Sequence, residues 1–133
     1  MRKIEHLGIA VKNIEESAKI YEALLGSKCY KIEEVVSEHV KTAFYQIGES
    51  KIELLEATDE SSPIHKFIAK KGPGIHHIAF DVEDIYAEIE RLKAEGFQLI
   101  NDVPKNGADN KIIAFLHPKS TDGILVELCQ EKS

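Results

Sequence analysis

The chain has 133 residues, 43% of them hydrophobic and 30% charged, with a formal net charge of −6, which fits one domain with a real core and speaks against a nucleic-acid surface. No apolar run approaches the roughly 18 residues of a membrane span, and Met1-Arg2-Lys3-Ile4-Glu5 lacks the apolar core of a secretion signal, so a cytoplasmic protein with no membrane partner is expected. Cys29 and Cys129 have no CxxC partner and sit in apolar segments, where reduced thiols pack well.

In chain order, Ile4, Leu7, Ile9 and Val11 make a short apolar strand, and Asn13 followed by Glu16 resembles a capping box. Ile14, Ala18, Tyr21, Leu24 and Leu25 then recur at helical spacing until Gly26 stops the helix. Residues 28–36, 39–47 and 50–56 read as strands, the last two separated by the turn at Gly48-Glu49. A polar linker with Thr58, Asp59, Ser61, Ser62 and Pro63 leads to a short helix over Ile64 to Lys71, ended by Gly72-Pro73-Gly74. The pattern then restarts: a strand at 75–82, a helix capped by Asp84 with Ile85, Ile89 and Leu92 on one face, and strands at 97–101, 111–117 and 123–129. The expected fold is α+β, two tandem βαβββ modules (1–57 and 75–133, joined by a linker at 58–74) whose mixed sheet curves into a cup.

The halves repeat each other about 71 positions apart. His6-Leu7-Gly8-Ile9 matches His77-Ile78-Ala79-Phe80, Ala43-Phe44 matches Ala114-Phe115, and Ile52-Glu53-Leu54 matches Val126-Glu127-Leu128. Each half therefore offers one imidazole and one carboxylate on apolar strands, where an unpaired buried carboxylate is costly and a divalent cation compensates it. His6, Glu53, His77 and Glu127 are the candidate metal ligands. His76 competes with His77, but adjacent strand residues face opposite ways and the apolar register favours His77. His39 and His65 read as surface residues, and His117, before Pro118, as a turn or ligand contact.

The strand His6–Val11, GIHHIAF at 74–80, FLHPKS at 115–120 and GILVEL at 123–128 resemble the methylmalonyl-CoA epimerase family of the glyoxalase, or vicinal-oxygen-chelate (VOC), superfamily, over essentially the whole chain. The resemblance implies one VOC domain spanning residues 1–133, assembled as a homodimer. It also implies a cobalt-type or other divalent metal on His6, His77 and Glu127, with Glu53 where relatives carry Gln or Glu; such ligands suit Co, Mn, Ni and Zn alike. The implied substrate is a small acyl-CoA, methylmalonyl-CoA, whose α-proton is removed through a metal-stabilised enediolate with Glu127 as general base. Thr42 stands where some relatives carry a second acid/base glutamate, which leaves Glu53, a water or another group to serve the opposite face. Lactoylglutathione lyase of the same superfamily is the nearest rival, although its DPDG-type turn is replaced here by His117-Pro118-Lys119-Ser120. A non-catalytic small-ligand-binding relative is the alternative from another class.

Overall fold

The computed structural model describes residues 1–132. Their elements are β1 (Lys3–Ala10), α1 (Ile14–Leu25), β2 (Lys31–Val35), β3 (Val40–Ile47), β4 (Ser50–Ala57), α2 (Pro63–Lys71), β5 (Gly74–Asp81), α3 (Ile85–Ala94), β6 (Lys105–Asn106), β7 (Lys111–Leu116) and β8 (Val126–Glu131). Single 3₁₀ turns lie at Val36–Glu38 and Pro118–Ser120. The order is the expected βαβββ repeated, with α2 in the connection. The chain divides into two compact units, one of residues 7–76 and one joining residues 1–6 to residues 77 onward. The division thus falls inside β1 and β5 and not in the polar segment 58–74. Arg2 shows why: its backbone N–H donates to the Asp81 carbonyl at 2.8 Å and its Nε meets the Asp81 carboxylate at 2.8 Å, so the first residues belong with the second half.

In the unit of residues 7–76, β2, β3 and β4 form an antiparallel meander, and Val11 N–H donates to Leu55 O at 2.9 Å beside it. Asn13 caps α1 by accepting from Glu16 N–H at 3.0 Å, and Gly26 ends it at φ 71°, a left-handed turn that a side chain would strain. Ile14, Tyr21 and Leu25 of α1 pack on Ala43, Tyr45 and Leu54. On the opposite face of the strands, Ile64, Phe67 and Ile68 of α2 pack on Val40 and Leu55, and the buried Ser62 caps that helix through Ile64 N–H.

In the other unit, β5 and β8 run parallel, with Ala79 opposite Glu127, and β7 lies antiparallel to β8, with Phe115 opposite Glu127. Asp84 caps α3 through Tyr86 and Ala87 N–H, and Ile85, Ile89 and Leu92 pack on Ala114, Leu116, Val126 and Leu128. Each such side chain contributes about 1.5–3 kcal/mol when removed from water. Because strand residues alternate, burying Leu128 under α3 turns Glu127 and Cys129 to the other face, where Cys129 packs with Ala79 and Ile113.

Two expectations fail in this unit. Residues 97–101 do not form a strand; they carry an isolated bridge, Leu99 to Leu116. Side chains take the places of ladder carbonyls there: Ser120 Oγ accepts from Gln98 N–H at 2.9 Å and Asn101 Oδ1 from Phe115 N–H at 3.0 Å. The two-residue β6 takes the next place. The last strand begins at Val126 and not at Gly123, since Gly123, at φ 89°, sits in a turn whose N–H is bonded to Pro118 O.

Candidate metal centre

Three side chains converge in the unit of residues 1–6 and 77 onward. β1 delivers His6, β5 delivers His77 and β8 delivers Glu127, and all three are buried. His6 Nε2 lies 2.9 Å from His77 Nε2; Glu127 Oε1 lies 3.1 Å from His77 Nε2 and 3.7 Å from His6 Nε2. One face of the parallel β5–β8 pair sets this geometry: His77 lies two residues before Ala79, which is opposite Glu127. The His77 ring stands edge-on to Phe115, with centroids 5.9 Å apart, which walls that side with carbon.

Two imidazole nitrogens at 2.9 Å share a proton or a cation, because two bare lone pairs repel. Burial by itself pushes the Glu127 carboxyl up, but the charge and hydrogen bonds of His6 and His77 outweigh it and hold Glu127 well below the ordinary carboxylate range.

The other candidates lie elsewhere. Glu53 is buried on β4 of the unit of residues 7–76, in register with Phe44, and Thr42 is buried on β3 of the same unit. His76 turns away from His77 and meets Phe67 of α2 edge-on, with ring centroids 5.0 Å apart. His117 accepts from Lys119 N–H at 3.1 Å and so caps the 3₁₀ turn that follows it. His39 pairs with Asp59 on the surface.

Two residues absent from the sequence-based set complete the buried group. The Glu5 carboxylate receives His6 Nδ1 at 2.6 Å, and the Cys129 thiol donates to Glu127 Oε2 at 2.8 Å. Glu5, His6 and Cys129 also place ligand-type atoms within 4.8 Å of one another. An acidic residue immediately before the candidate ligand His6, and a thiol two positions after the candidate ligand Glu127, are the signals available in the sequence. Among the described residues, no helix is long and apolar enough to cross a membrane.

Residues 5–115 match the family model of the Glyoxalase/Bleomycin resistance protein/Dioxygenase superfamily. The mitochondrial methylmalonyl-CoA epimerase of Dictyostelium discoideum is 41% identical over 95% of this chain and 76% of its own. The ethylmalonyl-CoA/methylmalonyl-CoA epimerase of Cereibacter sphaeroides is 40% identical over 96% of this chain and 97% of its own. Among solved structures, a variant of Streptomyces coelicolor methylmalonyl-CoA epimerase in complex with 2-nitronate-propionyl-CoA superposes with a TM-score of 0.95 at 33% identity, covering 100% of this chain and 96% of that one. With two buried histidines and a buried glutamate meeting on such a scaffold, the chain belongs to the methylmalonyl-CoA epimerase family of the glyoxalase superfamily.

Proposed function

We propose that the chain is a metal-dependent methylmalonyl-CoA epimerase, which removes the α-proton of the acyl group from one face and returns it to the other. The observation that carries the reading is the buried convergence of His6 Nε2, His77 Nε2 and Glu127 Oε1, at 2.9, 3.1 and 3.7 Å, in a chain whose relatives carry that activity. The donor set suits Co, Mn, Ni or Zn: two ligands about 2.1 Å from one ion lie about 3.0 Å apart at a right angle and about 3.4 Å apart at a tetrahedral one. When bound, such an ion supplies Lewis acidity that lowers the energy of the negative charge left as the α-proton departs.

The chain's own residues do the rest. His6 and His77 bind as neutral imidazoles through Nε2, and Glu127 is the general base, a buried carboxylate with one oxygen turned to the imidazoles and the other held by Cys129. Glu53 is the proposed fourth donor and the candidate acid for the opposite face; its burial and its correspondence to Glu127 in the repeat support this. Beyond the acyl-CoA, a second copy of the chain in a homodimer is the partner proposed.

The test is deuterium exchange at the α-carbon of methylmalonyl-CoA in heavy water, with metal content measured on the same samples. Exchange should require the metal. Glu127→Gln keeps an oxygen ligand and loses basicity, so exchange should fall by roughly 10²- to 10⁴-fold with metal partly retained. Thr42→Ala should do far less harm. Near-normal exchange by Glu127→Gln at full loading would move the base to Glu53, and turnover of a glutathione hemithioacetal with none of the CoA ester would replace the reading by lactoylglutathione lyase.

A further inference from the structure

The network behind the three ligand atoms is as buried as the ligands. Glu5 is 3% exposed, an unusual state for a glutamate, and its Oε1 lies 2.6 Å from His6 Nδ1, the ring nitrogen that does not face His77. A carboxylate only accepts, so this contact makes Nδ1 the protonated nitrogen and leaves Nε2 as the lone-pair donor. It also fixes the ring plane, since an imidazole tied at Nδ1 cannot turn about its Cβ–Cγ bond without breaking a short buried hydrogen bond. Lys111 Nζ stands 3.9 Å from Glu5 Oε2 and offsets part of the cost of burying that charge.

We propose that Glu5 is the positioning residue of the metal centre: it holds His6 in the Nδ1–H tautomer and in the orientation that presents Nε2 to the ion. Glu5 touches neither substrate nor metal and acts through His6. A second cation on Glu5, His6 and Cys129 is the competing use of the same atoms. Two observations disfavour it: a 2.6 Å separation is shorter than the roughly 3.0 Å edge between two ligands of one ion, and an ammonium beside Glu5 repels a further cation. The charge of Glu5 makes it more than a spacer, because a carboxylate partner raises the basicity of a ligand imidazole and outer partners of this kind are worth 10- to 100-fold in metal affinity.

This inference rests on the metal reading above, and the experiment separates the two. Co²⁺ affinity and stoichiometry are measured by chelator competition on the unsubstituted protein, Glu5→Gln and Glu5→Ala, with folding checked by circular dichroism. The tautomer of His6 is read by ¹⁵N NMR on the zinc-loaded, histidine-labelled, unsubstituted protein. Expected are one ion per chain, affinity lowered about 10- to 100-fold in Glu5→Ala and by less in Glu5→Gln, whose amide oxygen still accepts, and a His6 resonance protonated at Nδ1. Parental affinity in a folded Glu5→Ala, or a bare Nδ1 on His6, overturns the positioning role and leaves the metal reading standing. Two ions in the unsubstituted protein and one in Glu5→Ala overturn it in favour of a second site. No ion in the unsubstituted protein overturns the metal reading and this role with it.

Discussion

The two compact units share a packing device and differ in chemistry. In one, the first amide of α1, at Ile14, donates to Glu56 Oε1 at 2.6 Å; in the other, the first amide of α3, at Ile85, donates to Gln130 Oε1 at 2.7 Å. Each acceptor lies three residues past the repeat's glutamate, Glu53 or Glu127, so a side chain of a later strand pins the start of α1 and of α3 in the same way. The helices then diverge. α3 buries Ile85, Ile89 and Leu92, whereas α1 buries Ile14 alone and leaves Ile20 and Leu24 exposed. The unit with the more deeply packed helix also gathers His6, His77, Glu127, Glu5 and Cys129. A duplicated scaffold can keep its joints in both copies while groups drawn from both copies gather in one compact unit, provided the strands below them are held rigidly.

The sharpest way to break this contrast is to exchange adjacent histidines. His77→Ala should weaken metal binding by about 10²- to 10³-fold or more, while His76→Ala, which faces Phe67, should leave it near parental. Metal content by elemental analysis decides the matter, and metal loss from His76→Ala alone would move the chemistry out of the unit that holds His77. Packing gives the next largest effect. Leu92→Ala should cost about 2–5 kcal/mol in denaturant unfolding, against about 0.5 kcal/mol or less for Leu24→Ala, and equal costs would show α1 to be as firmly seated as α3.

Alkaline pH separates the units by another route. Burial, with help from Glu22, pushes the Tyr45 phenol up to about 12, and Leu116 at the matching position has nothing to ionise. The unfolded chain releases that proton near pH 10 while the folded chain keeps it to about 12, so stability should fall as pH rises between those values. Tyr45→Phe should flatten that slope. A spectrophotometric titration in which all tyrosines of the folded protein ionise together near 10 would contradict it. The smallest effect belongs to the shared joint: Glu56→Ala should cost about 1–2 kcal/mol and Gln130→Ala about 0.5–1 kcal/mol, because a carboxylate at a helix N-terminus also meets the helix dipole. The reverse order by thermal unfolding would mean that the two joints are held by something else.

What the sequence disclosed follows the range of the forces involved. Asn13 and Asp84 announce their helices because a cap is a contact between residues two or three apart, and His77 stands apart from His76 because strand parity is local. Residues 97–101 mislead because their β-like composition is overruled by Ser120 and Asn101, whose side chains bond amides far along the chain. Glu5 escapes for a related reason: beside Arg2 and Lys3 it reads as a surface acid, and parity turns it away from His6, yet its long side chain reaches the ring's far nitrogen. Cys129 packs as expected of a buried thiol, but its donation to Glu127 depends on an i, i+2 pairing that apolar composition does not signal.

The position of the first six residues carries a consequence for synthesis. His6 and Glu127 are 127 − 6 = 121 positions apart, and both belong to the unit that is interrupted by residues 7–76. A ribosome adding about 5–20 residues per second needs about 6–24 s to cover that distance. At the start of that interval Glu5 and His6 have been made, while β5 with His77 and, last of all, β8 with Glu127 have not. The three-residue cluster is therefore completed only when β8 pairs with β5, in a chain whose residues 7–76 have already left the ribosome's active site.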